Sequence, residues 1–524
     1  MNNADSIDLA RGWAMTTLAA LRPARGGSVD PRKQPGGSFE LYSVTNFPLG
    51  KPEILKGSEI GSNKQAVGPG TVLMCGINPR INRVWVVSKN SGMTQIASTE
   101  WISFPPTAGI LPEYVCYFLQ QNRIRDYLSR RASGVGGSLM RVKASTCADL
   151  PFPLAPFGEQ RRIVEEIDKQ FTRLEAGVGA LKRVQANLKR YRAAVLKAAV
   201  EGRLVPTEAE LARREGRPYE PASELLKRVL TQRRARWEAA QLAKFRASSK
   251  GPKDDKSKSR YQEPHSPDSA CLPEVREGWT WAAVSQLGFV GSGQTPKGVD
   301  QRVRPTGETP WFKVGDMNRA GNERYMVEAA SWICASDAAE LGLHIHPAGT
   351  IIFPKRGGAI ATNKKRILAR PSGYDLNTMG VTPVVENVAG YLWWWFAGVD
   401  LSTLGDGSNV PQINHGDIEP LRVPLPPLAE QHRIVAEVER RLSVIDELEM
   451  QVEANLKRAE RLRQAILKRA FEGKLVPQDP NDEPASVLLE RICAQRAAQH
   501  GEARNVAKKR VGPTRPKPAA HARD

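Results

Sequence analysis

Two clusters of side chains in this sequence have the chemistry to read the edges of nucleic-acid bases. Asn78, Arg80, Asn82 and Arg83 fall within "GINPRINR", and Lys355, Arg356, Asn363, Lys364, Lys365 and Arg366 fall within "KRGGAIATNKKR". Later loops add Arg130, Arg131, Arg141 and Lys143 in the first half and Asn409, Gln412 and Asn414 in the second. The forked guanidinium matches guanine O6 and N7, and the carboxamide of Asn or Gln matches adenine N6 and N7. Lysine is a point charge and mostly holds phosphates. The plainer reading of any one of these residues is an ordinary exposed loop position. Trp393, Trp394 and Trp395 offer faces for base stacking, but their place in a helical segment favours core packing.

Signatures of other chemistries are missing. The chain has no GxxxxGK[ST] phosphate loop, no GxGxxG after a strand, no GxSxG elbow and no HExxH. "GVGG" at 134–137 and "GSG" at 291–293 match turns as well as anything else. "NPR" at 78–80 is not the NPPY-type tetrapeptide that holds a base for amino methylation. His344 and His346 form the closest histidine pair, and a lone HxH is more often ordinary surface or core than a metal site. The six cysteines are scattered without a CxxC, which fits a reducing cytoplasm rather than a disulfide or zinc framework.

The net charge of +20 points to an anionic partner, nucleic acid or a membrane surface. The longest apolar run, "YLWWWFAGV" at 391–399, is too short to span a bilayer. The opening "MNNADSIDLA" lacks the basic segment of a signal peptide. The expected compartment is the cytoplasm. Much of the positive charge lies in "RASSKGPKDDKSKSRYQEPHSPDSA" and in the tail "KKRVGPTRPKPAAHARD", both with the composition of disordered segments.

The elements that must position the candidate residues are repeated. "EQRRIVEEID" at 159–168 falls on "EQHRIVAEVE" at 430–439, and "AVLKAAVEGRLVP" at 194–206 falls on "AILKRAFEGKLVP" at 465–477, both at an offset of 271. Each copy predicts one long helix with prolines before it and none inside. Apolar residues recur every seven positions: Ile167, Leu174, Leu181, Leu188 and Val195 in one copy, Val438, Ile445, Val452, Ala459 and Ile466 in the other. That is a coiled-coil seam, and it predicts that the two helices pack on each other. Gly202 and Gly473 stand where a left-handed residue ends a helix, and Pro206 and Pro477 prevent its resumption.

The segments before the helices repeat more loosely. "GTVLMCGINPR" at 70–80 corresponds to "GTIIFPKRGGA" at 349–359, "EYVCYFL" at 113–119 to "GYLWWWF" at 390–396, and "GGSLMRVK" at 136–143 to "GSNVPQIN" at 407–414. These are strand-like runs bounded by Gly and Pro, with short helices between. They predict two α+β domains of one fold with diverged loops, and diverged loops on a shared frame are where ligands are read.

The paired motifs, in this order, resemble a specificity (S) subunit of a type I restriction–modification system. "PLPPLAEQHRIV", "AFEGKLVPQDPNDEPASVLLERI", "LPEVREGWTWAAVSQLG", "TPWFKVGDMN" and "GSNVPQIN" carry the likeness. One departure is that 136–143 lacks the PQxN of 411–414. The resemblance implies a first target-recognition domain at 1–156, a long helix at 157–206 and a basic helix with a disordered linker at 207–271. It then implies a second recognition domain at 272–427, a second long helix at 428–477, and a short helix with a disordered basic tail at 478–524. It implies no active site and no bound cofactor or metal in this chain. Each domain would read half of a bipartite, asymmetric site on double-stranded DNA. The helices would pack antiparallel and fix the spacing. Two methyltransferase subunits with S-adenosylmethionine would modify adenines, and restriction subunits that translocate DNA with ATP and Mg would join. The alternative is a stand-alone sequence-specific DNA-binding protein without modification partners.

Overall fold

The computed structural model describes residues 9–21, 26–89, 92–134, 140–247, 261–268, 272–405, 407 and 410–510. The chain forms two compact units, Met1–Lys182 with Glu453–Asp524, and Arg183–Val452. The units do not follow the linear order of segments. The long helices Phe157–Val200 and Leu428–Phe471 each give one part to each unit.

In the first unit, Ala14–Thr17 pairs antiparallel with Pro151–Leu154. A five-stranded sheet runs in the order Ser28–Val29, Lys64–Ala66, Thr94–Ala97, Ser38–Tyr42, Glu53–Lys56. A three-stranded sheet has Val72–Cys75 in the centre, flanked by Val84–Val86 and Trp101–Phe104. The second unit has the same kinds of sheet. Thr280–Ala283 pairs with Arg422–Leu425. Its five-stranded sheet runs Gly288–Ser292, Thr378–Pro383, Ile351–Pro354, Arg366–Leu368, Tyr325–Met326. Val72–Cys75 and Ile351–Pro354 are buried at every residue, as the uninterrupted apolar runs require of a central strand.

The frame around each domain is built twice from matching bonds. Trp13 Nε1 donates to Glu159 Oε2 at 2.9 Å, and Trp279 Nε1 donates to Glu430 Oε1 at 3.0 Å. The Tyr114 hydroxyl donates to the Pro153 carbonyl at 2.8 Å, and Tyr391 to the Pro424 carbonyl at 2.5 Å. Ala485 N donates to Gly12 O and Ala222 N to Gly278 O, each at 2.8 Å. The segment that follows one domain's long helix thus closes the frame of the other domain. This exchange explains why the compact units cut across the linear repeats.

Both helices end as the sequence predicts. Gly202 and Gly473 have φ of +64° and +67°, and the next residue's N–H reaches back six residues inclusive, Arg203 to Ala198 and Lys474 to Arg469. A side chain at either glycine would also strike a neighbour. An added Cβ would lie 2.7 Å from Arg276 Cγ or 2.3 Å from Ala10 Cβ.

The seam residues Ile167, Leu188, Val195, Val438, Ile445, Val452 and Ile466 are buried, while Leu174, Leu181 and Ala459 are half-buried. Burial of such a side chain contributes roughly 1.5–3 kcal/mol. The helices pack antiparallel within each unit. In the second unit, Arg192 meets Asp446 and Glu449 (3.1 Å for the latter), whereas Glu208, beyond the helix end, meets Arg433 at 2.7 Å. In the first unit, Arg463 meets Glu175 at 3.2 Å and lies 4.0 Å from the Phe171 ring.

Two expectations change. The C-terminal helix is not short: it runs Ala485–Arg510, 26 residues. Part of the predicted disordered linker is placed, because Tyr261 packs edge-on against Trp237 at 5.2 Å and accepts from Arg233 at 3.2 Å. The remainder of the linker and tail lies outside the described residues. Trp393 and Trp395 are buried on the helix Ala389–Ala397, 7% and 8% exposed, so they pack the core rather than offer stacking faces.

Candidate nucleic-acid interface

In both domains the chain that leaves the buried central strand is paired with a segment far along the sequence. In the first domain, Val142 N donates to Gly76 O at 2.9 Å and Asn78 N donates to Met140 O at 2.7 Å. In the second, Ile413 N donates to Lys355 O at 2.9 Å and Gly357 N to Pro411 O at 2.8 Å. Residues 76–78 stand to 140–142 as 355–357 stand to 411–413. Arg141 thereby lies opposite Ile77, and Arg356 opposite Gln412. The two loop groups singled out in each half of the sequence are brought to one edge.

Around the first edge, Arg80 is exposed on the turn after Asn78, and Lys143 is exposed just before the helix Ala144–Ala148. Arg141 pairs with Glu100 at 2.8 Å. A cleft of about 530 Å³ opens here, lined by Glu100, Ser133, Arg141 and Lys143. Asn78 has φ of +48°, and its Oδ1 is buried without a described partner. Asn is among the few side chains that tolerate this backbone region. Arg130 and Arg131 are the last residues of the helix Asn122–Arg131, where cations suit the negative helix end. Arg131 lies 3.7 Å from the centre of the Tyr127 ring.

Around the second edge, Arg356 and Asn414 are exposed and Lys355 is half-buried. Gln412 Nε2 donates to Asn414 Oδ1 at 3.0 Å. Burial, and then the neighbouring Arg356 charge, lowers the Lys355 pKa. Asn409 lies outside the described residues.

Several candidates are committed to the fold instead. Asn82 Nδ2 caps the carbonyl of Leu119 at 2.9 Å, and Arg83 is half-buried beside Cys75, 3.8 Å from its sulfur. Lys365 is only 5% exposed; it donates to Asn363 Oδ1 at 2.8 Å and to the Val399 carbonyl. Burial pushes its pKa down to about 8. Asn363, with φ of +52°, also accepts from Leu401 N at 2.9 Å. Arg366 is half-buried and donates to the carbonyls of Lys365 and Met317 at 2.7 and 3.1 Å. Lys364 is half-buried and donates to Asn318. The run "NKKR" is therefore mainly a brace between this strand and the 399–401 loop, not a row of outward charges.

Two polar groups at the second edge were not among the sequence candidates. Ser292 ends the strand Gly288–Ser292, and His415 follows Asn414 directly. Ser292 lies in the "GSG" fragment read as a turn, so its only signal was being polar at a strand end. Among the described residues no group of three or more His, Cys, Asp or Glu is placed to hold a metal ion, and no helix is long and apolar enough to cross a membrane.

No family model matches the chain. It is 25% identical over 386 residues to the EcoDI type I restriction enzyme specificity subunit of Escherichia coli, spanning 71% of this chain and 74% of that one. It is 22% identical over 419 residues to the EcoKI specificity subunit of Escherichia coli strain K12, spanning 76% and 74%. A solved chain, from work on complex assembly and conformational transition of the type I R-M system, shares the fold. It has a TM-score of 0.60 and 18% identity, covering 89% of this chain and 100% of that one. In sequence along most of its length, and in fold, the chain is similar to type I restriction–modification specificity subunits.

Proposed function

We propose that this chain is the non-catalytic DNA-reading subunit of a type I restriction–modification complex. Each domain reads one half of a bipartite, asymmetric duplex site. Two methyltransferase subunits that use S-adenosylmethionine dock on the chain and modify adenines, and ATP- and Mg-dependent restriction subunits complete the assembly in the cytoplasm.

One observation carries this reading. The two domains keep the same frame, held by matching Trp–Glu, Tyr–Pro and Ala–Gly bonds, yet present different side chains at the matching edge. Arg80, Arg141 and Lys143 stand on one, and Lys355, Arg356, Gln412 and Asn414 on the other. A shared scaffold with unlike polar edges suits one kind of ligand with two unlike parts. The residue types suit duplex DNA, because base edges are read by Arg, Asn and Gln and phosphates by Lys. The names of the relatives, type I restriction enzyme specificity subunits, support a place in such a complex.

The test is to express the tagged full chain together with the methyltransferase of its own operon and purify it. The expected result is a stable complex that binds its methylated motif more tightly than unrelated duplex. A chain that binds a specific duplex tightly but never retains a methyltransferase would instead be a stand-alone DNA-binding protein.

A further inference from the structure

We infer that Ser292, Lys355 and His415 form an anion site on the second recognition domain that grips one backbone phosphate of the duplex. The inference rests on the proposed DNA-reading function and adds residues and a role to it.

The three groups come from three separate parts of the sheet edge. Ser292 ends the edge strand, Lys355 follows the central strand, and His415 opens the turn after the paired segment 411–413. Lys355 Nζ donates to Ser292 Oγ at 3.0 Å, and His415 Nε2 is also 3.0 Å from that oxygen. Both nitrogens bond one atom, so they are at most about 6 Å apart and a single oxyanion is within reach of both. The Glu419 carboxylate lies 3.6 Å from the other imidazole nitrogen, Nδ1.

Counting protons shows what the cluster has left to give. The ammonium has three and uses one on Ser292 among the described contacts. If the imidazole is protonated, its Nε2–H also points at Ser292 Oγ, and the serine hydroxyl is released to donate outward. If it is neutral with Nε2 bare, the hydroxyl donates to the ring and the ammonium still has two protons free. In either state the surplus is of donors. Arg356, next in the chain and exposed, makes no ion pair among the described residues and adds positive potential. Asp375, the nearby acid that supports the Lys355 charge, is occupied by Thr378 and Asn377.

The order Glu419–His415–Ser292 also resembles a nucleophile relay, but the geometry opposes that chemistry. The Lys355 ammonium occupies a lone pair of the serine oxygen, and the carboxylate is beyond hydrogen-bond distance of the ring. A phosphate fits better than a base edge. Lysine, a hydroxyl and imidazole give charge and donors without the paired donor–acceptor pattern that distinguishes bases. The amides of Gln412 and Asn414, beside the site, have that pattern, and the Arg356 guanidinium has the forked donors that match guanine. The matching edge of the first domain has the Arg141–Glu100 ion pair instead. The contact therefore belongs to the second half-site.

The test uses the full chain in complex with its methyltransferase partners. Binding to the methylated motif is measured from 50 to 200 mM salt for wild type, Ser292→Ala and His415→Gln. The expected result is a five- to tenfold loss of affinity for each variant at low salt. The slope of log affinity against log salt should fall by about one. The ratio between correct and mismatched duplexes should not change. A scan of single methylphosphonate substitutions on wild type should find one phosphate in the second half-site whose neutralisation weakens wild type but not His415→Gln. The wild-type scan does not depend on how well either variant folds. Unchanged affinity and slope in both variants, a changed ratio, or no such phosphate would overturn the site. A wild-type complex with no sequence-specific binding would overturn the DNA-reading function itself, and is told apart by the wild-type arm alone.

Discussion

Trp279 gives its indole N–H to a buried Glu430 carboxylate oxygen at 3.0 Å, and the carboxylate's other oxygen accepts the Glu208 backbone N–H at 2.8 Å. In the other unit Trp13 makes the same bond to Glu159 at 2.9 Å, but Glu159 Oε1 has no described partner. Burial raises the pKa of both acids. The duplicated frame is thus anchored by one polar pair per unit, one more fully satisfied than the other.

Removing the acceptor tests that difference. Glu430→Ala leaves two buried donors unpaired, and Glu159→Ala leaves one. An unsatisfied buried group costs about 1–3 kcal/mol. Thermal unfolding of the full chain should show Glu430→Ala losing more stability than Glu159→Ala, by about that amount. Equal losses would mean that Glu208 N has found water or another acceptor.

The seam predicts a graded response. Ile445 is 1% exposed and Leu174 is half-buried. Ile445→Ala should cost about 2–5 kcal/mol in denaturant unfolding, and Leu174→Ala less than half as much. Similar costs at both positions would show that burial along the seam is even.

His346 gives the second domain an acid sensitivity. Its ring stacks on Tyr374 with centroids 4.3 Å apart, and its Nδ1 lies 3.2 Å from the Tyr374 hydroxyl. The hydroxyl lies 3.2 Å from Gly291 O, and Nε2 is buried without a described partner. Burial, and then the nearby His344, lowers the pKa from 6.5 to about 4. The unfolded chain takes up this proton as pH falls through 6.5, but the folded chain does so only near 4. The stability this group carries is therefore complete above pH 6.5 and is lost as pH falls toward 4, on the order of a few kcal/mol. The unfolding midpoint of His346→Gln should change less between pH 7 and pH 5 than that of wild type. Parallel pH dependence in the two proteins would count against it.

How much of this was readable beforehand depends on the range of the interactions. The helices, their seam and their glycine stops follow from residues a few positions apart, and the structure has them at Ile167–Val195, Val438–Ile466, Gly202 and Gly473. The two loop groups recur in the same order in both repeats, but their pairing across a long stretch of chain was not readable from either. Lys365 and Arg366 were misplaced because type and neighbours alone present "NKKR" as exposed. Their burial is decided by Val399 and Met317, more than 30 residues away in either direction. Ser292 and His415 stayed hidden for the same reason, since they meet only through the fold of the sheet edge.

Binding to the specific duplex should weaken steeply with salt. About six phosphate contacts would lose on the order of a thousandfold in affinity between 50 and 200 mM salt. Titration of the methyltransferase complex by fluorescence anisotropy checks this. A flat dependence would mean that phosphates contribute little.

The central claim is that the two domains read separate halves of one site. The most direct measurement replaces residues 272–421 with the matching segment of a relative and maps methylated adenines across the genome of cells that carry the operon. The account predicts a hybrid motif, with one half changed to the relative's and the other half kept. Simultaneous change of both halves, or an unchanged motif, would contradict it.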